Sequence, residues 1–87
     1  MYFIYKKSKI YWSCRRGILE LDLIIIPFFL YYFDKLILTD KISFIKLLNY
    51  NDSDLFNVII KNDYPKDKNL IHIIDLIKNS RKPKFIY

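Results

Sequence analysis

The sequence predicts a small all-α protein, a compact single-domain bundle of about five short helices. Hydrophobic residues make up 53% of its 87 residues, which gives so short a chain the dense core that it needs to fold. Segments with helical spacing of apolar residues alternate with capping residues, glycine and proline. No segment shows the period-two alternation with turn signals that is typical of strands. We expect one domain over residues 1–87, with an ordered core from about 6 to 79 and a flexible tail over 81–87.

Two helices are predicted in the first part of the chain. The first runs from Lys6 to about Arg16 and ends at Gly17, because glycine is common where a chain leaves a helix. The second runs over about 18–33, and apolar residues surround most of its circumference. We therefore expect it to be the central element of the core. Pro27 lies inside it, lacks a backbone donor and predicts a kink.

Three further helices are predicted in the second part. Thr39 or Asp40 can cap a helix over 41–48, and residues 51–54 supply the cap for a helix over 55–60. Residues 62–65 read as a turn. The last helix, over about 68–79, has the clearest pattern, because its apolar residues follow the spacing i, i+3, i+4, i+7. These residues are Leu70, Ile73, Ile74 and Ile77.

Composition argues against several classes of protein. A lone cysteine cannot form an internal disulfide, and Cys14 and His72 are too few to hold a tetrahedral metal. The net charge is +6, but the joint abundance of isoleucine, lysine, asparagine, tyrosine and phenylalanine indicates mutational bias of an AT-rich genome. The lysines are also scattered, which argues further against a nucleic-acid surface. The longest apolar run is far shorter than the about 20 residues of a membrane span. No secretory signal is visible, so we expect a cytoplasmic bacterial protein without membrane insertion.

Several conspicuous side chains have ordinary structural interpretations. Trp12 is expected to be a partly buried anchor, and Cys14 a small buried hydrophobe. His72 is expected to be hydrogen-bonded or solvent-facing rather than catalytic. Asp52 and Asp54 are expected to be helix caps first and contact residues second.

A short motif carries the strongest functional signal. Arg16-Gly17-Ile18-Leu19-Glu20 fits an R-G-x-x-E pattern, and its flanks extend the match. They read Trp12-x-Cys14-Arg15 before it and Leu21-Asp22, then Pro27-Phe28-Phe29, after it. The whole segment resembles the bacterial succinate dehydrogenase flavinylation factors and their mitochondrial assembly-factor relatives, with matching spacing over about 9–77. The chain departs from that family at Ser53 and Val58, where proline and tryptophan are usual, and at 30–32, where the family is more polar.

The resemblance implies a five-helix fold and a non-catalytic role. Such factors bind the flavoprotein subunit of succinate dehydrogenase and promote the autocatalytic bond between a subunit histidine and FAD, by holding the subunit's mobile domain in a productive arrangement. For bacterial members it also implies the fumarate reductase flavoprotein as a further client. We expect a monomer that holds no cofactor tightly.

Five residues are predicted to bind the partner. We expect Arg16, Gly17 and Glu20 to form one exposed patch, with Arg15 and Asp22 at its margin. Arginine offers a planar fork of donors, and glycine allows another backbone to approach closely. The chain has one glycine and one glutamate, and both stand in this motif. The alternative for Arg16 and Glu20 is a surface ion pair at i, i+4.

Two other functions are considered. One is an antitoxin-like or regulatory protein-binding module that acts with a small membrane protein, for which the motif would not be required. The other is an enzyme that transfers the flavin itself. The chain has no glycine-rich phosphate loop and only one histidine, so the sequence argues against an enzyme.

Overall fold

The computed structural model describes residues 7–80, and this part of the chain contains five α-helices and no strand. A 3-10 turn over Phe33–Lys35 follows the second helix. The all-α prediction is therefore confirmed. Lys6 and the predicted tail at 81–87 lie outside the described residues. The helices are α1 (Lys7–Cys14), α2 (Leu19–Tyr32), α3 (Leu38–Leu48), α4 (Asp52–Ile59) and α5 (Lys68–Ser80).

The core lies between α3, α5 and the inner face of α2. Helix α3 packs against α5, α2 packs against α1 and α5, and α4 packs against α5. The predicted stripe on α5 faces inward, as its spacing indicated. The largest side chains with full burial come from four helices and include Leu21, Ile25, Phe44, Leu47, Leu55, Ile73, Ile74 and Ile77.

An aromatic cluster joins the end of α2 to α3. Phe44 lies at its centre, with ring centroids 5.5 Å from Phe28, 5.7 Å from Phe33 and 6.3 Å from Phe29. These separations are those of favourable aromatic pairs. The cluster fixes where α3 returns after the 3-10 turn, and hence where the C-terminal end of α3 lies relative to α1.

Helix α2 was predicted to be the central element of the core, and this prediction was wrong. One side of the helix is buried, whereas Leu23, Leu30 and Tyr31 are 65%, 59% and 70% exposed. One side of α2 packs against α1, α5 and, through Phe28 and Phe29, Phe44 of α3, whereas no helix in the described part of the chain covers Leu23, Leu30 and Tyr31. Pro27 is exposed, and the helix continues beyond it to Tyr32.

The cap predicted for α3 was also wrong. The helix begins at Leu38 after an extended Ile37, whose side chain makes no capping hydrogen bond. Thr39 and Asp40 thus lie inside the first turn. The Asp40 carboxylate is mostly buried and lies 3.6 Å from Nε2 of His72. The exposed His72 side chain agrees with the prediction that it faces solvent.

The cap of α4 lies in the predicted segment but on a different residue. The Asn51 carboxamide oxygen accepts a hydrogen bond of 2.8 Å from the backbone N–H of Asp54. Asp52 and Asp54 themselves occupy the first turn, so their prediction as caps was wrong. Acidic residues there still suit the positive end of the helix dipole.

Candidate functional site

Residues 15–18 form a loop between α1 and α2, which we call the corner loop. Gly17 has φ +78°, in the left-handed region that glycine adopts without cost. A Cβ atom at Gly17 would meet nothing within 4 Å. Glycine is therefore required here by the backbone conformation and not by crowding within the protein. The open space also leaves the Gly17 backbone accessible from outside.

Asp22 fastens the corner loop to the first turn of α2. Its Oδ1 accepts a hydrogen bond of 2.8 Å from the backbone N–H of Arg16. Its own backbone N–H donates to the Ile18 carbonyl at 3.0 Å. Asp22 is half-buried. Its two hydrogen bonds hold the corner loop against the first turn of α2.

Arg16 points into the protein rather than out of it. Its Nη1 donates to the Tyr50 carbonyl at 3.1 Å and lies 3.4 Å from Oδ1 of Asp52. Its Nη2 donates to the Leu48 carbonyl at the end of α3. The side chain is only 12% exposed. The predicted exposed position of Arg16 is therefore wrong, and the guanidinium pairs with Asp52 instead of Glu20.

The inward direction of Arg16 has a simple physical cause. The last carbonyls of a helix have no partner within that helix, and the C-terminal end carries partial negative charge. The end of α3 comes to lie beside the corner loop and presents these carbonyls to it. A guanidinium satisfies several acceptors at once, because its donors form a planar fork.

Three of the five predicted partner-binding residues lie on the outside. Arg15, Gly17 and Glu20 are exposed, as predicted. The Arg15 guanidinium lies over the Trp12 ring, 5.4 Å from its centroid. We give the name corner surface to six of the exposed residues at this end of α1 and α2. They are Trp12, Arg15, Gly17, Leu19, Glu20 and Leu23.

Three apolar residues of the corner surface were missed at the level of sequence. Trp12 is 64% exposed, not a partly buried anchor, and Leu19 is 68% exposed. Leu23 follows Leu19 at i+4, so both lie on one face of α2. Spacing alone does not distinguish this face from the opposite one, where Leu21, Ile24 and Ile25 are buried, because both faces are apolar with helical spacing.

Cys14 lies directly behind the corner loop and is fully buried, as predicted. Burial raises the pKa of its thiol from 9.0 to about 12. The nearby Arg16 charge lowers the pKa and the Asp22 carboxylate raises it, but both effects are smaller than that of burial. The thiol is therefore protonated at neutral pH and is a poor nucleophile.

The described residues show little that would hold a metal or a large ligand. No group of three His, Cys, Asp or Glu side chains within 7–80 could bind a metal ion. Two surface clefts beside α1 and α3 have volumes of about 180 and 220 Å³, below the about 300–1,000 Å³ of ordinary ligand pockets. None of the helices in this range combines the length and apolarity of a membrane span.

Known proteins with similar sequences match this chain over most of its length. The model of the family described as flavinator of succinate dehydrogenase matches residues 8–81. The FAD assembly factor SdhE of Photorhabdus laumondii is 46% identical over 78 residues, 90% of this chain and 89% of the relative. That of Pectobacterium atrosepticum is 45% identical, with the same coverage. That of Wigglesworthia glossinidia brevipalpis is 51% identical over 77 residues, 88% and 92% of the two chains. The resemblance is thus confirmed, and this chain belongs to the family of flavinators of succinate dehydrogenase.

Proposed function

We propose that this chain is an assembly factor that binds the flavoprotein subunit of succinate dehydrogenase and promotes the covalent attachment of FAD to it. The observation that carries the proposal is the family match over residues 8–81, which includes the R-G-x-x-E motif. The relatives that match over about nine-tenths of their length are FAD assembly factors. The role is non-catalytic: the bond to FAD forms on the partner, and this chain binds and orients that partner.

The corner surface has the composition of a docking site. Trp12 and Arg15 belong to residue types that often dominate the energy of protein interfaces. Leu19 and Leu23 add an apolar strip that a partner can remove from water. Arg15 and Glu20 carry opposite charges at its edge and can fix the orientation of the partner through charge complementarity. A partner surface with an apolar centre and charges of both signs would fit.

Glu20→Arg tests the proposal most directly. Glu20 is exposed, so we expect the fold to be retained, while the reversed charge meets a cation of the partner and weakens binding at least about tenfold. The measurement is in-gel flavin fluorescence of the flavoprotein subunit, co-expressed with each variant or with no factor. We expect fluorescence to fall toward the level without the factor.

Asp63→Arg is the matched control for that experiment. Asp63 lies in the α4–α5 loop, is also exposed, and undergoes the same change of charge. It should leave flavin attachment at the wild-type level. Normal attachment with Glu20→Arg, or equal fluorescence with and without the factor, would contradict the proposal. The second result would also leave room for the antitoxin-like role.

The proposal also covers the oligomeric state of the chain, its location, its cofactor and a second client. We infer that the chain acts as a monomer in the cytoplasm, holds no FAD tightly by itself and makes no contact with nucleic acid. The related flavoprotein of fumarate reductase is proposed as a second client of the same corner surface. Repeating the fluorescence measurement with that flavoprotein tests this extension.

A further inference from the structure

Arg16 differs from Arg15, Gly17 and Glu20 because its side chain lies mostly inside the protein. We propose that Arg16 is a positioning residue, which holds the corner loop on the C-terminal end of α3 so that Arg15, Gly17 and Glu20 face the partner in one fixed arrangement. It acts through these residues and not by touching the partner. The inference rests on the proposed function, since it concerns the same docking site.

The contacts of Arg16 reach across the fold. Its acceptors lie on residues 48, 50 and 52, which come 32 to 36 positions later in the chain. They belong to the last residue of α3, to the following turn and to the first turn of α4. Within the described residues, these are the hydrogen bonds that tie the corner loop to the α3–α4 segment. The loop's other hydrogen bonds among residues 7–80 join it to α1 and α2.

The geometry of these contacts requires arginine rather than any cation. Nη1 donates hydrogen bonds to the Tyr50 carbonyl and the Asp52 carboxylate, while Nη2 donates to the Leu48 carbonyl. The two nitrogens occupy separate points of a rigid fork, and the single ammonium nitrogen of lysine can occupy only one of them. The Nε atom is buried without a hydrogen-bond partner in the described part of the chain, so the guanidinium is held through its two Nη atoms. Lysine would therefore keep the charge and lose part of the attachment.

Arg16→Lys tests the inference, with Arg15→Lys as the matched control. Two quantities are measured: amide hydrogen exchange of the free protein and affinity for the purified flavoprotein subunit. For Arg16→Lys we expect faster exchange at residue 16, whose amide bonds to Asp22, and at Asn49 and Tyr50, with binding weakened by about tenfold or more. For Arg15→Lys, we expect exchange at these amides to match the wild type, because the contacts described for Arg15 are with Trp12 of α1.

Two results would overturn the inference. Wild-type affinity of Arg16→Lys would show that the attachment does not matter for docking. Weaker binding with unchanged amide exchange would show that Arg16 meets the partner directly. If Arg16→Lys does not fold, Asp52→Ala removes one contact and keeps two, and should change exchange and affinity in the same directions by a smaller factor. No change in either quantity would then reject the inference.

The proposed function has a separate criterion. It fails if Glu20→Arg supports normal flavin attachment. That result has no bearing on the amide exchange measured for Arg16→Lys. The attachment of the loop is measured on the free protein, whereas the docking role is measured on the complex. The two failures are therefore distinguishable.

Discussion

Arg16 and Gly17 are adjacent in the chain but have opposite environments. Arg16 is held by the carbonyls of Leu48 and Tyr50, at and just after the end of α3, whereas Gly17 is exposed, with open space where a Cβ atom would lie. The alternation arises because the loop must turn between α1 and α2, and the left-handed conformation of Gly17 accomplishes that turn. The five-residue motif thus contains two residues that face the protein, Arg16 and Ile18, and others that face its surroundings.

Gly17→Asn and Gly17→Ala separate two roles of the glycine: its left-handed backbone conformation and the space that it leaves for a partner. Alanine is strained at φ +78° and should lower the free energy of unfolding by about 1–2 kcal/mol. Asparagine tolerates this conformation better, so its loss should be smaller in thermal unfolding. We expect Gly17→Asn to weaken binding of the flavoprotein subunit by about tenfold, because the added side chain blocks close approach of the partner's backbone. Wild-type affinity of Gly17→Asn would mean that the glycine serves the turn alone.

The buried Cys14 thiol makes stability depend on alkaline pH. Its pKa is about 12 in the folded protein and 9.0 without burial, so the folded state retains a proton that the unfolded state loses. This contribution to stability is complete below pH 9 and is lost as pH rises toward 12, by up to about 1.4 kcal/mol per pH unit. Urea unfolding at pH 8, 9 and 10 should show the advantage of the wild type over Cys14→Ala narrowing above pH 9. A constant difference would contradict the prediction.

Helix α2 has two apolar sides with different uses. The inner side packs against α1 and α5 and contributes Leu21, Ile24 and Ile25 to the core. The outer side exposes Leu19 and Leu23 near its N-terminus and Leu30 near its C-terminus. Only the first end adjoins the corner loop. Because the helix rises about 1.5 Å per residue, Leu30 lies roughly 10 Å from Leu23 along the axis.

Leu23→Ser and Leu30→Ser form a matched pair on this face. Both leucines are largely exposed, so each change should alter the free energy of unfolding by only about 0.5 kcal/mol. Leu23→Ser should weaken binding of the flavoprotein subunit by about 5- to 10-fold, through the apolar contact that it loses. Leu30→Ser should bind like the wild type. Calorimetric titration of both variants measures this, and equal affinities would exclude Leu23 from the docking site.

For the molecule as a whole, the sequence best predicted the features that depend only on residues close together in the chain. The stripe on α5 and the turn at Gly17 follow from spacing and backbone preference, and the structure confirms both. The outer face of α2 was misread because its exposed apolar residues have the same helical spacing as its buried ones. Composition alone does not reveal which side a neighbouring helix will cover.

Arg16 could not be oriented from local sequence for a related reason. Its partners come more than 30 residues later, and their position depends on how the aromatic cluster around Phe44 directs α3. Trp12 was placed inward because large aromatic side chains are usually buried. The motif thus predicts a docking site, but the division between inward and outward residues required the fold.

The attachment of Arg16 to residues 48, 50 and 52 also has a consequence for synthesis of the chain. A nascent chain that ends within α2 already carries every residue of the motif, yet it lacks the carbonyls that hold the loop. The proposed docking site is completed only when α3 and the start of α4 have been made and packed. Recognition by the flavoprotein subunit would therefore select finished molecules over truncated or unfolded ones that contain the same motif.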